Sequence, residues 1–389
     1  MIVLTLNSGS SSLKFGLYRV EGAETEALMT GETDGTELQA EDAKGSALPG
    51  TPIKAETPEA TLQAIASLLA KTSLSAPEAI GHRIVHGGPK LRVHCVIDDR
   101  GERDLEAASA MSPLHAPAAL AIIRLAKQTW QDVPQVACLD TAFHAEMPDI
   151  ARILPIAKEL QLEGIQRYGF HGLSCESIVH QFGNALPKRL VIAHLGSGAS
   201  VTAVQDGRSI DTSMGLTPSG GIIMATRSGD IDPGVLIYLM REKKYDAAAL
   251  EDLVDHRSGL FGISGVSGDL RKLHEAEPSN PDARLAVAMF CMSVAKEIAG
   301  MIVALGGVDT IVFTGGIGEH DAVARAGICH ALRCFGVCLD DAANRTKTGH
   351  IDRSDSACEL RVLTSREDEQ IARHVGACPS SEHSAQLAA

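Results

Sequence analysis

Residues 4–18, LTLNSGSSSLKFGLY, join two β-rich runs through a turn of small residues. Near residue 190 the chain repeats the same grammar in RLVIAHLGSGASVTAVQDG. Laying Leu6 on Leu195 puts Ser8 on Ser197, Gly9 on Gly198 and Ser11 on Ser200. Runs of Val, Ile, Leu and Tyr favour strands, and Gly/Ser clusters punctuate them. Two copies of one strand–turn–strand unit imply two domains of related architecture. A chain of 389 residues has the length for that. A third glycine turn, FTGGIGEH, follows the strand-like residues 311–314, with its helical stretch expected from about Asp321.

Composition narrows what such domains could bind. The chain is 44% hydrophobic and 22% charged, as in ordinary globular proteins. A formal charge of −14 argues against nucleic acid or an anionic membrane as partner. It leaves room for a small phosphorylated ligand, because local Arg and Lys decide that. The opening MIVLTLN lacks a basic leader, and no segment reaches ~18 uninterrupted apolar residues, so a cytoplasmic location is expected. Nine scattered cysteines without a CxxC pair read as reduced thiols. Residues 22–60 read as surface strands and loops, and the tail from Pro379 has little to bury. In PDARLAVAMFCMSVAKEIAGMIVAL, apolar Leu285, Ala288, Met289, Met292, Ala295, Ile298 and Ile302 recur at helical period and are expected to face a core.

A Gly/Ser turn can aim successive backbone N–H groups into one concavity that binds phosphate. NSGSSSLK is such a cradle, with Lys14 for charge, but no GxxxxGK[ST] loop is present, and GGIGEH is not a dinucleotide fingerprint. Taken singly, each turn is no more than a tight hairpin. Three of them, each after a strand, point to a nucleotide clamped between two domains. Cations and placed donors come in short, mostly Gly- or Pro-flanked settings: His82, Arg83 and His86 in GHRIVHGG, His115 in SPLHAP, Asp140 and His144 in DTAFH, Arg167 and His171 in RYGFHG, Arg227 in ATRSGDIDPG. A lone His or Arg is more often structural than functional.

The ordered set NSGSSSLKF, GHRIVHGG, SPLHAP, DTAFH, RYGFHG, HLGSGAS, TRSGDIDPG, GISGVSGDLR and FTGGIGEH resembles the acetate kinase family over residues 1–373. The resemblance implies an α/β fold of two duplicated ribonuclease H-like (actin/Hsp70-like) βββαβαβα domains around a nucleotide cleft. The domains would be 1–140 joined by 366–389, and 141–365 as the nucleotide-binding half. It implies a homodimer, ATP/ADP as co-substrate, and Mg²⁺ as cofactor with Mn²⁺ as a substitute. Carried over residue by residue, Asp140, His171 and Arg227 would be catalytic. Arg83 would hold the substrate carboxylate, with His115 nearby and Val85, Leu114, Phe170 and Pro218 forming the methyl pocket. Ser10, Ser12 and Lys14 would line the first nucleotide turn. His194, Leu195, Gly196, Ser197 and Gly198 would meet the ATP phosphates. Asp269, Leu270 and Arg271, with Gly316, Ile317, Gly318, Glu319 and His320, would lie on the nucleoside side. Asn7 and Glu367 would support the metal. In SREDEQIAR, counting back from Ile371 selects Glu367, whereas counting forward from Thr364 selects Arg366; only Glu367 suits a cation. Ser197, Ser219, Gly220, Cys175 and His320 depart from the family pattern, which bears on nucleotide choice and points to a divergent subgroup.

The implied reaction is ATP plus acetate giving ADP plus acetyl phosphate. A carboxylate is already a nucleophile at pH 7, so positioning and electrostatics carry the step. For the same reason Asp140 is better suited to orienting an arginine or a metal-bound water than to taking a proton. The nearest rival is a propionate or other short-chain acyl kinase. A rival of another class is an Hsp70- or actin-like ATPase driving conformational change, though GHRIVHGG and RYGFHG resemble acyl-kinase signatures. A catalytically dead binding module is disfavoured by the presence together of Asn7, Arg83, Asp140, His171, Arg227 and Glu367.

Overall fold

A computed structural model describes residues 1–9, 12–72, 74–112, 115–346 and 349–378. The chain divides into two compact units. The first comprises Met1–Ala145, Gly172–Ser177 and the chain from Arg366 on; the second comprises Glu146–His171 and Ile178–Ser365.

The first unit is built on an eight-stranded sheet. Its strands are β1 (Ile2–Ser8), β2 (Leu13–Glu21), β3 (Glu24–Thr33), β4 (Glu37–Asp42), β5 (Ile53–Lys54), β6 (Ala79–Ile84), β7 (Cys95–Val96) and β8 (Gln135–Leu139). They lie in the order β5-β4-β3-β2-β1-β6-β8-β7. The β1–β2–β3 meander is antiparallel, whereas β1, β6 and β8 run parallel. Alternation along β1 sends Leu4 and Leu6 into one core, with Leu62 and Ile65 of helix Pro58–Lys71 and Ile122 of helix Ala116–Thr129. Val3 points to the opposite core, where Ile371, Ala372 and Val375 of helix Glu367–Ala377 pack. The sheet is thus apolar on both faces, as parallel strands under helices must be. Gly81 permits the close approach of that last helix: a Cβ there would sit 2.5 Å from the Ile371 side chain.

The second unit carries six strands: β9 (Arg189–Leu195), β10 (Ala199–Gln205), β11 (Arg208–Thr212), β12 (Thr310–Thr314), β13 (Gly349–His350) and β14 (Glu359–Val362). Their order is β11-β10-β9-β12-β14-β13, with β9–β10–β11 antiparallel and β9, β12 and β14 parallel. This repeats the first sheet apart from its β4 and β5: a three-strand meander, two parallel neighbours on the other side of its first strand, and an antiparallel edge strand. The repeat read from the two Gly/Ser turns is therefore a repeat of whole sheets.

Helix Pro281–Leu305 packs on β9, β10 and β11. Asn280 caps its start through Asp282 and Ala283 N–H, Pro281 takes the first position, and Gly306 closes it in the left-handed region at φ +66°. Its core face is Ala283, Ala286, Val287, Phe290, Val294, Ala295, Ile298 and Ile302. Leu285, Ala288, Met289 and Met292, expected in the core, lie on the exposed face instead. The N-terminal half of this helix is apolar on both sides, so its period does not say which side is buried. It is also the one described helix long and apolar enough to cross a membrane, and half of that stretch is buried inside the unit. Residues 22–60 form β3, β4 and β5 plus the start of the first helix. The GGIGEH turn is itself a short helix, Gly315–His320, ahead of helix Ala322–Ala331.

Candidate active site

In the first unit, the C-terminal ends of the parallel strands gather the chemistry, the usual place for ligand sites in such sheets. Asn7 lies at the end of β1 opposite Lys14 of β2, and Arg83 near the end of β6; Asp140 directly follows β8. Arg83 donates from Nε and Nη2 to Asp140 Oδ2 at 2.9 and 2.7 Å, and from Nη1 to Asn7 Oδ1 at 3.4 Å. Asn7 Nδ2 donates to Glu367 Oε2 at 3.1 Å, tying in the helix Glu367–Ala377. Burial opposes the charge on Arg83, yet Asp140 beside it raises its pKa above the ordinary value. The guanidinium is therefore a fixed cation with a fork matched to a carboxylate.

Asp368 joins this group and was not singled out from the sequence. Three acids adjoin in REDE, and the sequence argument selected one of them. Burial and the neighbouring Glu367 push the Asp368 carboxyl up to about 6. Burial raises Asp140 as well; Arg83 opposes the shift and Glu367 adds to it. Asp140 Oδ1 and Asp368 Oδ1 are buried without a hydrogen-bond partner among the described residues. Buried carboxylate oxygens left unpartnered, crowded beside Glu367 and offering only hard oxygen donors, fit a divalent cation such as Mg²⁺. His82, by contrast, is structural: it pairs with Gln135 Oε1 at 2.7 Å, and burial holds its pKa at about 4.

The second unit holds a separate constellation. β9 ends at His194 and Leu195, the turn closes with Gly196 N–H on Gly198 O at 3.0 Å, and β10 resumes at Ala199. His171 adopts a left-handed backbone at φ +58°, strained for a non-glycine residue. Its Nδ1 lies 2.9 Å from Ser200 Oγ, and its ring stacks on His194 at 4.2 Å between centroids. Arg227 Nη1 donates to Pro218 O at 3.3 Å, and Ala225 N–H ties the Arg227 loop to Ser197 O at 3.2 Å. A Cβ on Gly198 would lie 3.4 Å from both Arg227 Nη1 and His171 Nε2. Guanidinium and imidazole thus converge over a residue with no side chain. Such an arrangement can donate to two oxygens of one phosphoryl group. Ser200 was legible only as part of the small-residue turn, not as the partner of His171.

β12 lies beside β9 with Thr314 opposite His194, so the helix Gly315–His320 starts next to the turn that follows β9. Gly315 is left-handed at φ +77°, and a Cβ there would meet Leu195 O at 2.7 Å. Glu319 Oε1 accepts from the N–H groups of Gly315 and Ser365. Arg325, fully buried and not anticipated, donates to Gly318 O at 2.8 Å and to Asn344 Oδ1 at 2.7 Å, fixing this helix from behind. Asp269 caps the helix Leu270–Ala276 through Arg271 N–H; Leu270 is buried, and Arg271 is exposed and paired to Asp269. Ile317 and His320 complete the short helix.

The residues expected to form a methyl pocket belong to different units. Val85 lines a cavity of about 10 Å³ with Ile84, His86, Leu105 and Ser112 in the first. Phe170 and Pro218 belong to the second, both buried. His115 marks the start of helix Ala116–Thr129. Ser10 and Leu114 lie outside the described residues, and Ser12 is exposed just before β2. Arg167 is structural, with Nη1 donating to Thr212 O at 2.7 Å.

The chain is similar to known proteins over nearly its whole length. The model of the Acetokinase family matches residues 2–373. The acetate kinase of Brachyspira hyodysenteriae is 39% identical, covering 96% of this chain and 98% of its own length. That of Nostoc punctiforme is 38% identical, covering 96% and 98%. A propionate kinase structure from Francisella tularensis subsp. tularensis superposes with TM-score 0.90 at 33% identity, covering 97% of this chain and all of its own. The Porphyromonas gingivalis acetate kinase structure gives 0.85 at 31% identity, covering 97% and 99%. With matches of this extent to both sequences and structures, the chain belongs to the acetokinase family.

Proposed function

We propose that the chain transfers the γ-phosphoryl group of ATP to acetate, reversibly. The observation that carries this reading is the convergence of His171 Nε2 and Arg227 Nη1 over Gly198. An acetate oxygen forms the new bond to phosphorus, the bond to the β–γ bridging oxygen breaks, and ADP leaves with that electron pair. Arg83, held by Asp140, receives the acetate carboxylate; Arg227 and His171 donate to the equatorial oxygens as charge shifts on them. Asp140 orients Arg83 rather than taking a proton, since acetate has none to lose. Asn7, Glu367, Asp140 and Asp368 would hold the divalent cation. Mg²⁺, when bound, supplies positive charge to the phosphates. The turns 196–198 and 315–320 would receive the nucleotide through backbone donors. ATP as co-substrate and the free thiols suit a cytoplasmic enzyme.

A second copy of the chain is the proposed partner, supported by the exposed apolar face of helix Pro281–Leu305. A propionate kinase reading stays in play through the Francisella neighbour and the small cavity behind Val85. One assay tests both: trapping acyl phosphate with hydroxylamine while varying acid length and phosphoryl donor. Acetyl hydroxamate formed from ATP and acetate at the highest kcat/KM supports the proposal. Faster propionyl hydroxamate formation would replace acetate by propionate, and ATP hydrolysis without hydroxamate would overturn acyl transfer.

A further inference from the structure

A second cluster lies behind the acidic constellation of the first unit. His94 precedes β7, Glu176 belongs to helix Gly172–Phe182, and His374 to helix Glu367–Ala377. One nitrogen or oxygen from each lies within 4.8 Å of the others. His374 Nε2 is 2.6 Å from Glu176 Oε2, His94 Nε2 is 3.8 Å from Glu176 Oε1, and the two ring centroids lie 3.7 Å apart with the planes tilted by 36°.

Two histidines and a glutamate invite a metal, but the hydrogen bonds argue otherwise. Leu139 N–H donates to His94 Nδ1 at 3.0 Å. That nitrogen therefore carries the lone pair, and the ring proton sits on Nε2, facing Glu176. A metal-bound imidazole has the opposite arrangement, its free nitrogen donating a proton. His374 Nε2 also meets the Gln370 amide nitrogen at 3.0 Å. The cluster is a hydrogen-bonded one.

Its arms reach three parts of the acidic constellation. Leu139 directly precedes Asp140. The helix that carries Glu176 starts with Gly172 N–H donating to Asp140 O at 2.9 Å. The helix that carries His374 begins at Glu367 and Asp368. We propose that His94, Glu176 and His374 are positioning residues for phosphoryl transfer, a strap that fixes Asp140 together with the Glu367 and Asp368 end of the C-terminal helix. This rests on the roles given above to those carboxylates.

Charge in and around the strap gives it a pH sense. Burial works against Glu176 ionising, but the imidazoles of His374 and His94 hold its pKa down at about 2. Burial lowers the pKa of His94, with Glu176 opposing, so that ring is neutral at pH 7. Arg373, on the same helix as His374, is engaged elsewhere: it pairs with Glu369 and Gln370. Cys138 on β8, Cys95 on β7 and Cys378 at the helix end are neutral thiols, raised by burial. A further proton on His94 must go to Nδ1, where Leu139 N–H already points. Acid therefore breaks the hydrogen bond from Leu139 N–H beside Asp140, adding to the protonation of Asp140 and Asp368 whose pKa values burial raises, and the contribution of His94 is present above its unfolded pKa and lost as pH falls.

The test compares wild type with His94→Asn, His94→Ala and Glu176→Gln, recording kcat, the Mg²⁺ concentration for half-activation and their profiles from pH 5 to 8. Asn keeps an acceptor for Leu139 N–H but cannot titrate. Expected are a rise of ~10-fold in the Mg²⁺ requirement for His94→Ala and Glu176→Gln, near-native values for His94→Asn at pH 7, and an acid limb in His94→Asn shifted below that of wild type. Should His94→Ala not fold, the pH profile of folded His94→Asn still decides. An active wild type with His94→Asn sharing its acid limb, or as impaired as His94→Ala, overturns the strap alone. Stoichiometric Zn²⁺ found by elemental analysis in wild type and lost in Glu176→Gln overturns it in favour of a metal site. A wild type forming no acyl phosphate overturns the functional reading, and the strap with it.

Discussion

The roles proposed for Arg83 and Arg227 differ, and so do their surroundings. Arg83 is held by two hydrogen bonds to buried Asp140 before any ligand arrives, so it is preorganised for a ground-state carboxylate. Arg227 donates to the Pro218 carbonyl and sits over Gly198 with His171. Arg227→Ala should therefore lower kcat about a hundredfold, the loss of one transition-state donor at ~3 kcal/mol, while the KM for acetate changes little. Steady-state kinetics at saturating substrates check it, and near-native turnover would remove Arg227 from the transfer step. Val85 bears on chain length, being β-branched and stiff at χ1. The cavity of about 10 Å³ behind it gives Val85→Ala room for one more methylene. The propionate/acetate ratio of kcat/KM should rise roughly tenfold, since a methylene in an apolar pocket is worth ~1–3 kcal/mol. An unchanged ratio would take Val85 out of the pocket. Residues marked by motif, such as Arg83, Asp140, His171 and Arg227, were legible because each sits in a short, distinctive stretch. Asp368 was not, because only burial separates it from its acidic neighbours. Nor were His94, Glu176 and His374, which no stretch of sequence brings together.

At the level of elements, turns were easier to read than the contacts that brace them. The Gly/Ser turn after β9 was evident from its composition, yet what Gly198 avoids could be seen only in three dimensions. Alanine at 198 would place its methyl at ordinary contact distance from Arg227 and His171, at 3.4 Å each, so the fold should tolerate it. Gly198→Ala should melt within a few degrees of wild type but lose turnover, because the methyl occupies space in front of both donors. Thermal melting and kcat measured on one preparation check this, and full activity would argue that phosphate does not come so close. The Gly315–His320 helix was read as a turn because Gly-Gly runs ordinarily break helices; its hydrogen bonds to Glu319 and the buried Arg325 hold it instead. A second brace in this region titrates. His274, on helix Leu270–Ala276, lies 2.9 Å from Asp321, the cap of helix Ala322–Ala331, and 2.6 Å from Glu277. The Asp321 hydrogen bond chiefly, against burial and with Glu277 assisting, raises its pKa to about 9. A raised histidine stabilises the fold fully below its unfolded pKa, ~6.5, and loses that contribution as pH climbs through the folded value. The melting-temperature gap between wild type and His274→Ala should be widest below pH 6.5 and close above about pH 9. A gap that does not narrow with pH would assign His274 a packing role alone.

For the whole molecule, the misread face of helix Pro281–Leu305 is the informative one. Leu285, Met289 and Met292 are 51%, 40% and 49% exposed, although their spacing is that of a buried stripe. Phe261 and Val266, in and just after helix Gly259–Ser264, are 40% and 48% exposed, and that helix packs against Pro281–Leu305. Helix Pro233–Glu242 buries none of its residues in the unit, and leaves Val235, Ile237, Tyr238 and Met240 exposed. Scattered exposed hydrophobics need no explanation, but a run of them along the packed helices Gly259–Ser264 and Pro281–Leu305 points to an interaction surface. A second copy of the chain is the simplest occupant, because closed two-fold dimers use one self-complementary patch. Full burial of each such side chain contributes ~1.5–3 kcal/mol. Placing charges there instead costs several kcal/mol of desolvation per ion. Wild type should therefore run as a dimer at micromolar concentration in light scattering, and Met289→Lys with Met292→Glu should run as a monomer with its melting transition retained. A double variant that stays dimeric would place the interface elsewhere. Activity of that monomer then carries the argument one step further. Asn7, Arg83, Asp140 and Glu367 come from the same chain as His171, Arg227 and Gly198. A folded monomer should thus keep its turnover, and loss of kcat in step with dissociation would mean that the partner copy contributes to the site.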